Sequence, residues 1–179
     1  LKNKPHVQLS GLEKRLNRPE TKELILRLQK AAITVPANVS GILPLDSKLK
    51  GTVVLNIGKT PGAGLDFYNR LQNTLSLTRV VARPDSMEAI RKRLLGSQRV
   101  IVVVTSDDYK KYKTMLDSLP ADLPVVYVFL MPLKSMLDME GYWKKAAAVV
   151  LGHSDESVIQ EYVADVLVGK AVRSENISY

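Results

Sequence analysis

Four stretches of this chain carry side chains suited to binding or reacting. The run Gly58-Lys59-Thr60-Pro61-Gly62-Ala63-Gly64 comes after an apolar β-type run and before a helical one. In that position backbone amides can cradle an anion, with the Lys59 ammonium and the Thr60 hydroxyl beside them. The glycines fit neither familiar phosphate loop. Gly62 and Gly64 stand four and six residues after Gly58, and no Gly-Lys-Ser/Thr closes the run. An ordinary strand-to-helix loop is the reading this spacing favours, and an anion or sugar contact is the alternative. Ser106-Asp107-Asp108 stands at the carboxyl end of another apolar run, the edge at which open α/β sheets bind ligands. The two carboxylates could exchange protons or hold a metal, but Asp is also favoured in the first turn of a helix, and that structural role is the simpler reading. His153 comes after a third such run, between Gly152 and Ser154. A neutral imidazole there could act as a base, although no nucleophile accompanies it and no G-x-S-x-G elbow is present. Tyr142-Trp143 offers either a stacking platform for a sugar or an anchor buried in a domain interface, and burial is the preferred reading. Lys59, Thr60, Ser106, Asp107 and His153 are therefore the candidate ligand-binding residues. No residue is assigned to catalysis, to a metal or to a cofactor.

Composition narrows the classes. The absence of cysteine excludes disulfides, thiolate nucleophiles and cysteine-ligated metals, and with only His6 and His153 a histidine-rich metal site is not expected. The formal net charge of +8 raises the question of nucleic acid. Most basic residues, such as Arg91-Lys92-Arg93 and Lys110, Lys111 and Lys113, fall on the polar faces of expected helices, Phe and Trp number only two and one, and no RNA-module signature appears. A solvated basic surface is expected, without nucleic acid as a partner. No apolar run approaches the roughly 20 residues of a membrane helix, so no membrane contact is expected either. The first residue is Leu1 rather than Met, which reads as a trimmed piece of a longer protein.

Periodicity sets the framework around these residues. Residues 1–16 are polar and basic and read as a linker or arm. Asn17 is a good cap with Glu20 three residues on, Pro19 suits a first turn, and Leu24, Ile25, Leu28, Ala31 and Ala32 form one stripe expected to be buried. That helix, closed by Pro36, and the Leu43-Pro44-Leu45 turn make residues 17–45 a linker helix and turn. Five strands are expected over Thr52–Ile57, Thr78–Ala82, Val100–Thr105, Val125–Leu130 and Ala147–Leu151. The third and fourth are apolar throughout and belong in a sheet covered on both faces. Helices are expected over Asp66–Leu75, after a cap at Asp85, after a cap at Ser106, and over Ser154–Leu167, where Ser154 caps and Gly169 ends the helix in a left-handed conformation. Leu133–Lys145 reads as a short helix and loop at a domain edge. Residues 46–179 thus form an α/β domain, a three-layer αβα sandwich with a doubly wound, mostly parallel sheet of five to six strands, flavodoxin-like in type.

The order of these parts resembles the C-terminal α/β sandwich domain of glycoside hydrolase family 3, which includes β-glucosidases and β-N-acetylglucosaminidases. The family's linker text, like A-I-T-L-L-K-N…L-P-L, is matched by Ala32-Ile33-Thr34-Val35, Asn38 and Leu43-Pro44-Leu45 before Val53-Val54-Leu55-Asn56-Ile57. Its closing helix, like A-D-V-L-F-G, is matched by Ala164-Asp165-Val166-Leu167-Val168-Gly169. The likeness spans residues 17–178. The family's tail, like G-K-L-P-V-S, is replaced by Arg173-Ser174-Glu175-Asn176-Ile177-Ser178. The (β/α)-barrel that carries the family's nucleophilic aspartate, and in the bacterial glucosaminidase subgroup a K-H-F-P-G-H-G loop with a His/Asp acid/base, is not in this sequence, and no Glu here aligns with the second-domain acid/base of β-glucosidases. The resemblance therefore implies a non-catalytic accessory domain, inactive alone, with a barrel of the same parent chain and carbohydrate as partners. It implies a parent that cleaves β-linked sugars with retention and, in bacteria, is periplasmic or secreted. The rival reading is a stand-alone α/β module for a small anionic ligand or nucleotide, resting on the Gly58–Gly64 loop and the positive charge.

Overall fold

The computed structural model describes residues 19–132 and 145–170. Among the described residues, five α-helices and six strands occur in chain order: α1 Pro19–Ala31, β1 Thr34–Asn38, β2 Thr52–Ile57, α2 Leu65–Leu71, β3 Leu77–Val81, α3 Met87–Leu95, β4 Arg99–Val104, α4 Lys113–Asp117, β5 Val125–Phe129, β6 Ala148–Leu151 and α5 Ser157–Leu167. The strands form one sheet in the order β1-β6-β5-β4-β2-β3. Every neighbouring pair is parallel except β1 with β6. The expected doubly wound sandwich is the fold that forms.

The sheet is apolar on both faces because its central strands are. Val53, Leu55, Val100, Val102, Tyr127 and Phe129 point to one side, where Ile90 and Leu94 of α3 and Met115 and Leu116 of α4 cover them. Val54, Ile101, Val103, Val126 and Val128 point to the other, under Phe67 and Leu71 of α2 and Ile159, Val163 and Leu167 of α5. With period-2 alternation between two dry layers, each buried aliphatic side chain contributes about 1.5–3 kcal/mol relative to exposure.

Several details depart from expectation. β1 lies in the span read as linker and turn. It adds an antiparallel strand at the edge, with Thr34 opposite Leu151, Ala37 opposite Val149 and an irregularity between. Pro36 sits in that irregularity, at a sheet edge, where its missing N–H does least harm. The large residues of the α1 stripe are not buried: Leu24 and Leu28 are 54% and 62% exposed, and Ile25 is 37% exposed. The helix meets α5 through other residues, with Gln29 Nε2 donating to Glu156 Oε1 at 3.0 Å and Lys30 Nζ 5.1 Å from the Tyr162 ring centre. Asp85 caps no helix. It lies in a 3-10 turn, Pro84–Ser86, that precedes α3. Ser106 does cap, accepting from the Asp108 amide at 3.2 Å, but the helix it opens is a 3-10 helix over Asp107–Tyr112 that leads into α4. Ser154 accepts from the Glu156 amide at 3.1 Å, in the turn ahead of α5 rather than at its cap.

Two features fix the ends of this framework, the second as the sequence leads one to expect. Leu43 and Leu45 are buried anchors, with Asn38 bonded to both the N–H and the C=O of Leu43 and the Leu45 amide donating to Leu167 O at 2.7 Å. Gly169 has φ of 75°, and the Lys170 amide reaches Asp165 O at 2.8 Å while the Gly169 amide reaches Val166 O at 3.3 Å. That pair of bonds is a Schellman ending for α5. The arm at residues 1–16, the Leu133–Lys145 segment up to Lys144 with its Tyr142-Trp143 pair, and the tail beyond Lys170 lie outside the described residues.

Candidate functional site

The chain leaves β2 toward β3 on one side and leaves β4 toward β5 on the other, although β2 and β4 are neighbours. Their carboxyl ends are thus the point where the winding reverses and the two outgoing loops diverge, which opens a crevice. The Gly58–Gly64 loop and Thr105–Asp108 are those two loops.

The loop is held by side chains beneath it. Asn56, 3% exposed, donates from Nδ2 to Ala63 O at 2.8 Å. Thr105 binds Ile57 O through both its amide, at 2.9 Å, and its Oγ1, at 3.2 Å. Arg79 of β3 donates to Pro61 O. A Cβ at Gly58 would overlap Thr105 Oγ1 and the Ala63 side chain, so only glycine lets the two loops approach this closely. Gly64 has φ of 75°, and a Cβ there would stand 2.7 Å from Asn56 Nδ2. The glycines of this run therefore serve a left-handed turn and a close backbone approach.

A cleft of about 410 Å³ opens between the loops. Lys59, Thr60, Ser106 and Asp107 line it together, joined by Asp155 from the turn before α5. Four of the five candidates from the sequence thus meet in one place. His153 is not among the lining residues. It stands half-buried just after β6 with φ of 64°, a left-handed conformation that costs a non-glycine residue about 1–2 kcal/mol. Among the described residues no group of three His, Asp or Glu is placed to hold a metal. With Thr105 included, one ammonium, three hydroxyls and two carboxylates suit hydrogen bonding to a hydroxyl-rich ligand better than contact with an apolar one.

A second cleft, about 270 Å³, shares Lys59 and Thr60 with the first and reaches to the end of β3 and the Asp107–Tyr112 helix. Burial pushes the Tyr112 phenol above its ordinary value, and the carboxylates of Asp108 and Asp85 push it the same way. Sequence reading missed Arg83, Lys111, Tyr112 and Asp155 as lining residues. Helical spacing marks Tyr112 only as an inward apolar position, and the charged residues carry no motif that separates them from a solvated surface.

No family model matches the chain, and no curated protein matches it in sequence. Solved structures do match. A β-glucosidase from Listeria innocua in complex with isofagomine aligns over 87% of this chain with a TM-score of 0.65 at 13% identity. A glycoside hydrolase family 3 β-N-acetylglucosaminidase from Paenibacillus sp. str. FPU-7 aligns over 91% with a TM-score of 0.61 at 14% identity. A β-glucoside phosphorylase aligns over 89% with a TM-score of 0.59 at 12% identity. The fold is that of a segment of glycoside hydrolase family 3 enzymes. The chain spans 26%, 33% and 32% of the length of those three proteins. At such identities the family 3-like fold is what the likeness shows.

Proposed function

We propose that this chain is the accessory α/β domain of a family 3-like glycoside hydrolase that cleaves β-linked sugars with retention. In this reading it packs against a catalytic (β/α)-barrel of the same parent, supports the rim of the active site, and is inactive by itself. Residues 17–45 then act both as the link from the barrel and as the edge of the sheet, with residues 46–179 completing the domain. The observation that carries the proposal is the asymmetric coverage. Nearly nine-tenths of this chain aligns with about a quarter to a third of proteins named as a β-glucosidase and a β-N-acetylglucosaminidase. A domain common to both is suited to a supporting role rather than to the choice of sugar. The exposed Leu24, Ile25 and Leu28 stripe supports the same reading, since an apolar helix face is what a neighbouring domain would cover. The polar cleft at Lys59, Thr60, Ser106, Asp107 and Asp155 is the place on this domain for a sugar hydroxyl to be met.

The test is hydrolysis of aryl β-glucosides and aryl β-N-acetylglucosaminides by the purified chain and by the full product of its gene. The chain alone should show no enzyme-like turnover, and the full product should cleave at least one substrate. Turnover by the chain alone would overturn the accessory role. An inactive full product would overturn the glycosidase reading.

A further inference from the structure

We propose that the second cleft, between the ends of β2, β3 and β4, binds a phosphate or sulfate group carried by a small molecule. Its lining holds three cations, Lys59, Arg83 and Lys111, against one carboxylate, Asp108. Lys111 Nζ lies 3.3 Å from Asp108 Oδ1, which leaves Lys59 and Arg83 without an ion pair among the described residues. Like charges gathered in a concave site repel one another, and an oxyanion at their centre relieves that repulsion while a cleft with protein walls focuses the field on it. Arg83 offers the planar fork that pairs with two oxygens of a phosphate or sulfate at once, and the lysines add point charges.

Tyr112 is an independent pointer. The residue is 3% exposed, it lines this cleft, and its hydroxyl has no hydrogen-bond partner among the described residues. The ring is packed in the core, whereas the hydroxyl is not sealed from solvent, so it is available to a ligand atom that enters the cleft. The nearby carboxylates of Asp108 and Asp85 help burial to keep the phenol protonated, so it can offer its proton to an acceptor such as an anion oxygen. Its ring is buried and gives no stacking face, which argues against a nucleobase. A volume of about 270 Å³ fits a charged head group rather than a whole nucleotide. A doubly charged tetrahedral group matches three cations less one carboxylate, whereas a single carboxylate would leave excess positive charge.

The proposal stands apart from the glycosidase reading, because its test reads binding to this chain and no hydrolysis. The intact chain is titrated calorimetrically with inorganic phosphate and with sulfate at fixed ionic strength, with acetate and chloride as comparisons. Either tetrahedral anion should bind with a dissociation constant of about 1 mM or tighter. Acetate and chloride should bind at least about tenfold more weakly, a difference of about 1.4 kcal/mol. Arg83→Gln and Lys59→Gln, both at exposed positions, should each weaken binding by a similar factor without unfolding the chain. Asp155→Asn, in the first cleft only, should leave it unchanged. Absence of phosphate and sulfate binding would overturn the proposal, as would equal binding of acetate or binding that survives Arg83→Gln and Lys59→Gln combined.

Discussion

The α1 stripe gives the sharpest test of whether another domain belongs on this one. Leu24 and Leu28 are 54% and 62% exposed, so less than half of each residue is covered within the chain. Cutting a fully buried leucine back to alanine costs about 2–5 kcal/mol, from lost transfer energy and the cavity left behind. At these two positions most of the transfer term is missing and no cavity forms, which leaves about 1 kcal/mol per site. Alanine's slightly better helix propensity returns about 0.2 kcal/mol at each. Leu24→Ala/Leu28→Ala should therefore lower the unfolding free energy of the chain, measured by urea denaturation, by about 1–2 kcal/mol. If, as proposed, a neighbouring domain covers the stripe in the full gene product, the same pair should cost about 4 kcal/mol or more there. A loss of about 4 kcal/mol in the chain alone would mean that the stripe is already core and would refute the exposure argument. Equal small losses in both proteins would mean that nothing covers the helix and would refute the docking argument.

Two single residues give further tests. His153→Gly should raise the stability of the chain by up to about 1 kcal/mol by removing the strain of its left-handed backbone, a gain that a thermal or urea melt resolves. Tyr112 titrates above the ordinary tyrosine value of 10.0 in the folded chain, so above that pH the folded state holds a proton that the unfolded state has lost. The stability this confers is fully present below the unfolded value and is lost as pH rises through the folded one. Tyr112→Phe should flatten that alkaline decline relative to the parent chain, and an unchanged slope would show that the phenol is not held protonated.

Much of the fold was legible in local text. Val100–Val104 and Val125–Phe129 are apolar at every position, and that alone requires a sheet covered on both sides. Gly169, set after the periodic run of α5, marked a left-handed ending, and that ending forms, closed by two Schellman bonds. Other parts were hidden for identifiable reasons. β1 contains Pro36, which reads as a breaker unless the strand's place at an irregular edge is known. The α1 periodicity was correct as a pattern, but a stripe of leucines says only that a face is apolar, not what covers it. Asp85 and Ser154 have the right residue types for caps, yet 3-10 and turn geometry ahead of each helix moved the start past them.

The candidate site divides in the same way. Lys59, Thr60, Ser106 and Asp107 stand out because loops at the carboxyl ends of parallel strands are where ligands bind, a rule that needs only the order of elements. Their meeting in one cleft depended on β2 and β4 being neighbours, and that adjacency is a property of the sheet. Arg83 and the adjacent pair Lys111-Tyr112 come from separate stretches with no shared spacing, so no local pattern announces their meeting. The residues in their order were enough for the layers and for the strand count to within one, because these rest on periodicity within a few residues. The assembled fold was needed to say which loops face each other, which apolar helix face stays uncovered and which charges converge. Those depend on strand order and on contacts between residues far apart in the chain.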